Sequence, residues 1–131
     1  MNRFAAIILL FASFLFFGCN QSTRKIVGEY SLERFQENGM YYVINREDLP
    51  GGGVFDGTIQ EIGWNNSWIL ARVTKIYHGD TNGWYALNLA TKQIIGPIQE
   101  SEIKTNSALL TIECHDSAAV FSGQTVTGFQ K

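Results

Sequence analysis

Hydrophobic positions divide the chain into two regimes. Behind a lone basic Arg3, nearly every residue from Phe4 to Phe17 is apolar, and the run gives way at Gly18-Cys19 to polar Asn20-Gln21-Ser22-Thr23. Beyond that point apolar residues come in short alternating runs separated by turn-forming residues, with no long stretch of helical period. The runs at 28–35 and 40–45, joined through Glu37-Asn38-Gly39, predict a hairpin, because Asn and Gly tolerate the positive φ that matches strand twist. Residues 46–56, with Pro50 and Gly51-Gly52-Gly53, predict a mobile loop. Four further runs, at 57–64, 67–77, 84–89 and 93–96, predict a meander turned at Asn65-Asn66, at Gly79-Asp80-Thr81-Asn82-Gly83 and at Ala90-Thr91-Lys92. In the third run Tyr85, Leu87 and Leu89 share one face and Trp84, Ala86 and Asn88 the other, which suits a sheet with one face on the core. Gly96-Pro97 predicts the end of the last run, since Pro cannot donate to a ladder. Residues 99–104 suit one or two helical turns, and strands are expected at 108–114, 118–122 and 125–129. The expected fold is mainly β: a single antiparallel β-meander sheet curled into a small sandwich or barrel, with at most one short helix near 99–104.

A basic residue, an apolar stretch and then a small residue is the layout of a signal peptide. A membrane-crossing helix needs ~20 apolar residues, more than this run supplies. Residues 1–18 are therefore expected to be a removed signal. Within it, Phe16-Phe17-Gly18-Cys19 resembles the lipobox of bacterial lipoproteins, a family in which the Cys thiol receives a diacylglyceryl group and the signal is cut just before it. Gly18 and Cys19 match that pattern, while Phe16 stands where Leu is usual. The resemblance implies lipidation of Cys19 and attachment to the outer side of the cytoplasmic membrane through acyl chains such as palmitate. Each buried CH₂ contributes ~0.8 kcal/mol and one chain alone binds only reversibly, so firm anchoring rests on several chains. Asn20 after the Cys resembles the outer-membrane class of Gram-negative lipoproteins, which implies the periplasmic face of the outer membrane; in a Gram-positive cell that position carries no such meaning. Residues 19–25 then form the lipidated Cys and a short tether, and 26–131 a single mainly β domain. The polar stretch reaches only ~20 Å when fully extended, which keeps the domain close to the headgroups.

The hairpin running from Trp84 to Pro97 looks like those of small uncharacterised bacterial lipoproteins and, more loosely, like the outer strands of a propeller blade. That resemblance implies architecture only. A complete propeller needs at least four blades, and the Trp-Tyr pattern does not recur along the chain.

The 131 residues carry 10 Lys and Arg against 12 Asp and Glu, a net charge of −2. Loss of residues 1–18 removes only Arg3 among the charged groups, which leaves the mature chain near −3. Nothing supplies the basic face that a nucleic-acid partner requires. The remaining 113 residues suffice for one domain with a modest core. Cys114 is the only cysteine besides Cys19, so an intrachain disulfide framework is excluded. Its thiol is either buried and inert or available for an intermolecular bond. On a strand over 108–114 it would share a face with Leu110 and Ile112, which favours burial.

Candidate chemistry is sparse. Cys114-His115-Asp116 places nucleophile, base and carboxylate types in consecutive positions, but neighbours on a strand point to opposite faces and cannot pair. His78, beside Gly79-Asp80, belongs to an expected exposed turn, and a metal site would have to bring His78 and His115 together with Asp80 or Asp116. Gly51-Gly52-Gly53 lacks the Lys-Ser/Thr of a phosphate-binding loop. No catalytic residue, metal or cofactor is expected. Aromatic residues are more suggestive: Trp64, Trp68, Trp84, Tyr41, Tyr42, Tyr77 and Tyr85 are many large rings for one small domain. Trp64 and Trp68 flank the Asn65-Asn66 turn, where they either form an exposed anchor for a partner or pack on one another across the hairpin. The expected function is that of a non-enzymatic, membrane-anchored module that binds another envelope protein, as an accessory, inhibitor or immunity-type factor. The rival is a lipoprotein hydrolase acting on envelope material. Clustering of His78, His115 and acidic residues in one concave pocket favours the hydrolase; their dispersal, with an exposed apolar patch at Trp64 and Trp68, favours the binder.

Overall fold

The computed structural model describes residues 22–36, 39–49, 53–74 and 82–123. In chain order these form β1 (Thr23–Val27), β2 (Tyr30–Gln36), β3 (Met40–Arg46), β4 (Thr58–Trp64), β5 (Trp68–Thr74), β6 (Gly83–Asn88), β7 (Ile94–Ile98), α1 (Glu100–Thr105), β8 (His115–Asp116) and α2 (Ser117–Ser122). The fold is mainly β and antiparallel, as expected. Among the described residues the strands divide between a three-stranded sheet, β1-β2-β3, and a five-stranded sheet, β7-β6-β5-β4-β8, and no barrel closes.

Alternation builds the first sheet. Tyr30 and Leu32 on β2 and Ile44 on β3 turn inward, with Leu32 opposite Ile44, while Ser31 and Glu33 fall on the other face. The facing sheet contributes Ile59, Ile62, Ile69, Ala71, Val73 and Leu87 to the same buried cluster, which makes the pair a sandwich. Its central strands were expected to bury one face, yet both are covered. Leu70 and Ala86, on the far face, pack with Leu109 and Ile112 in a second cluster to which Trp84, Ile103 and Cys114 also belong. Double coverage is why Ile69-Leu70-Ala71 and Ala86-Leu87 are consecutively buried. In β4 a bulge at Gln60 shifts the register between Ile59 and Glu61, so that Ile59 and Ile62, three residues apart, enter the same cluster.

Several expectations are corrected. The domain begins before residue 26: β1 already pairs Thr23 with Glu33, and the Arg34 amide donates to the Ser22 carbonyl at 2.7 Å. The span 46–56 is not simply a loop, because β3 runs through Arg46, Val54 donates its amide to Ile44 and Phe55 is 4% exposed in the core. Pro97 lies within β7 rather than after it; β7 is an edge strand, where a missing N–H costs no ladder bond. Residues 108–114 form no strand. Asn106 gathers them into turns by accepting the amides of Leu109 and Leu110 on its carbonyl and that of Ala108 on its side chain. The expected strand at 118–122 is the helix α2, capped by the Asp116 side chain on the Ala118 amide at 2.9 Å and closed by Gly123 at φ +72°. The expected helix at 99–104 is observed as α1, making two helices among the described residues where at most one is expected. Residues 75–81 and the expected strand at 125–129 lie outside the described residues.

The segment 112–114 crosses the far face of β4 directly over Gly63. A Cβ at Gly63 would lie 2.4 Å from the Glu113 carbonyl oxygen and 2.8 Å from both Cys114 Sγ and an Ile112 methyl. Only glycine lets this strap lie so close to the sheet.

Candidate functional site

At the β4–β5 hairpin the Asn65 side chain accepts the amides of Ser67 and Trp68, both at 2.8 Å, and the Asn65 amide donates to the Trp68 carbonyl at 3.0 Å. Asn65 is thereby consumed in forming the turn. Trp64 pairs with Ile69 and shares its face, whereas Trp68, adjacent to Ile69, points to the other. Both indoles are half-buried, Trp64 against the cluster between the sheets and Trp68 against the one beneath the strap. They do not pack on one another, nor do they form a joint exposed patch. What this tip offers to solvent is Asn66 and Ser67.

Cys114, His115 and Asp116 serve three separate ends. The Cys114 thiol is half-buried against the second cluster, 3.9 Å from the Leu70 carbonyl, and burial pushes its pKa from an ordinary 9.0 up to about 12, with Glu61 adding to the shift. A thiol held neutral in this way is a poor nucleophile at physiological pH. His115 pairs with Ile62 at the sheet edge and places Nε2 3.5 Å from Glu113 Oε1. Asp116 caps α2. The raised thiol pKa has a measurable sign: between pH 9 and about 12 the unfolded chain loses the Cys114 proton that the folded chain keeps, so stability falls as pH rises across that window. The urea midpoint should decline over that range, and Cys114→Ala should decline less; parallel curves for the two proteins would refute the assignment.

His78, Asp80, Gly51 and Gly52 lie outside the described residues. Among the described residues no group of three His, Cys, Asp or Glu side chains is placed to hold a metal ion.

Among the described residues, two open clefts flank Arg72. The bulge at Gln60 brings Glu61 opposite Arg72, and their side chains form an ion pair at 2.5 Å. On one side an open cleft of about 320 Å³ is lined by Met40, Tyr42, Thr58, Gln60, Arg72 and Asp116. On the other, one of about 390 Å³ is lined by Glu61, Arg72, Trp84, Pro97 and Glu100. Both are polar, and the ion pair between them is solvated enough to contribute only ~0–1 kcal/mol to stability. Sequence reading missed this surface, because it depends on a one-residue register shift whose only sequence trace is the Ile59-to-Ile62 spacing within a strand.

Two apolar surfaces also stand out among the described residues. On the edge strand β7, Ile94 and Ile95 are 42% and 43% exposed. At the turn end of the β2–β3 hairpin Phe35 stacks on Tyr41, ring centroids 5.4 Å apart at 17°, beside an exposed Met40. Among the described residues no helix is long and apolar enough to cross a membrane.

No protein-family model, curated protein or solved structure matches this chain.

Proposed function

We propose that the chain is a bacterial envelope lipoprotein, lipidated at Cys19 and held on the outer side of the cytoplasmic membrane or on the periplasmic face of an outer membrane, where it binds another envelope protein without catalysing a reaction. The observation that carries the binding role is the edge of β7. An edge strand presents backbone donors and acceptors ready to pair with an added strand, and Ile94 and Ile95 supply apolar contacts beside them. Gly96 and Pro97, with the register shift between β6 and β7, blunt the remainder of the edge, so a partner is limited to the segment around Ile94–Ile95. The Asn65-Asn66 turn is a lesser candidate, since its indoles face the two clusters.

The test is crosslinked capture of the protein from its native envelope with wild type, Ile95→Lys and Asn66→Ala. Ile95 is exposed, so the lysine variant should keep its stability within ~0.5 kcal/mol. One partner captured by wild type and by Asn66→Ala but lost from Ile95→Lys is the expected result. Capture that survives Ile95→Lys would exclude β7 as the binding edge.

A further inference from the structure

The start of β1 and the turn end of the β2–β3 hairpin lie at the same end of the three-stranded sheet. β1 runs antiparallel to β2, with Thr23 opposite Glu33, and Ser22 accepts the Arg34 amide at 2.7 Å. β1 traced back from Val27 to Ser22 therefore runs in the direction in which β2 runs on to Phe35 and Gln36. Cys19 is three residues from Ser22, a covalent reach of at most ~10 Å. If Cys19 carries lipid, as proposed above, Ser22 can stand no farther than this from the lipid-bearing atom, and the hairpin end is held at the same level.

That end carries the Phe35–Tyr41 stack on one face of the hairpin and Met40, 49% exposed, on the other. Aromatic rings with an apolar body and a polar tip favour the boundary between headgroups and acyl chains. Among the described residues, both ends of the sheet carry charges of both signs. Arg24 and Arg34 lie near this end, with Arg24 reaching the Phe121 carbonyl and Arg34 stacked over the Phe121 ring at 4.5 Å. Glu33 is engaged by the Asn45 side chain. The opposite end gathers Glu29 and Asp48 around Lys92, with Glu47 beside Lys25.

We infer that the β2–β3 hairpin end, through Phe35, Tyr41 and Met40, inserts into the headgroup layer of the membrane that holds Cys19, so the domain stands on the bilayer in one orientation. The inference rests on the lipoprotein reading. Its partner is the lipid surface itself.

The test uses the full chain, expressed in a bacterial host with p-benzoylphenylalanine replacing Phe35 or, at the opposite end, Thr91. Purified protein is reconstituted into vesicles of phosphatidylethanolamine and phosphatidylglycerol, irradiated and weighed by mass spectrometry, and the same variants are irradiated in intact cells. The expected result is an acyl increment on Cys19 in both variants, with a phospholipid adduct roughly tenfold more abundant at position 35 than at 91. Acylated protein with equal adduct yields at the two positions would overturn the inference and leave the lipoprotein reading standing. So would a protein adduct in place of lipid at position 35 in cells, which would make the hairpin end a protein-docking site. Absence of the acyl increment would overturn both.

Discussion

Gly63→Val should destabilise the fold by roughly 3 kcal/mol, the upper range for overpacking a close-packed interior. The reason is geometric: the first added carbon already falls 2.4 Å from the Glu113 carbonyl oxygen, a backbone atom that cannot swing aside as a side-chain end can. Either β4 or the 112–114 strap must move, and the strap is the weaker of the two, being anchored on this face chiefly by Ile112 and Cys114. The urea midpoint should fall by roughly 1–2 M for a domain of this size. A thiol reagent should reach Cys114 in the variant at a pH where the wild-type thiol resists it, because lifting the strap rehydrates the sulfur. An unchanged midpoint with Cys114 still protected would mean that the strap does not lie over Gly63.

Cys19→Ser should abolish acylation altogether. A hydroxyl in place of the thiol cannot form the thioether to a diacylglyceryl group, and the anchoring that accumulates at ~0.8 kcal/mol per buried CH₂ is lost with it. Labelled palmitate supplied to growing cells should enter the wild-type chain and not the variant. The fold should be indifferent, since Cys19 precedes the first described contact, the pairing of Ser22 with Arg34. Label that persists in Cys19→Ser would place the acyl group elsewhere and remove the basis for the tether.

What could be read from sequence was whatever is local in sequence. The strands β2 to β6 follow from period-two alternation between turn residues, and the Asn65 and Asn88 turns from side chains that hydrogen-bond to amides two and three residues on. The lipobox resemblance is likewise a linear motif. Errors arose where one short apolar run suits two conformations. Ala118-Ala119-Val120-Phe121 reads as a strand by hydrophobicity, but Asp116 before it and Gly123 after it are helix boundaries and prevail. Leu109 and Ile112 are buried three apart, while Leu110 between them is 52% exposed, a spacing that an unbulged strand does not produce. The Trp64 and Trp68 pair was misleading for want of register: once Trp64 is known to face Ile69, parity sends Trp68 to the opposite side. The Arg72 clefts were beyond reach, since they need the Gln60 bulge, the approach of β3 and the return of Asp116 from the far end of the chain.

The position of β1 has a mechanical meaning. As the outer strand of its sheet and the first element after Ser22, it is where tension on a membrane tether would enter the domain. Such a pull acts lengthwise along β1, so it loads the β1–β2 ladder in shear, with the bonds from Thr23↔Glu33 to Val27↔Tyr30 sharing the force instead of opening one after another. The grip of Arg24 on the Phe121 carbonyl adds α2 to the elements that must yield before β1 slides. A domain held by its partner on one side and by its lipid on the other would thus be strained along its most resistant direction.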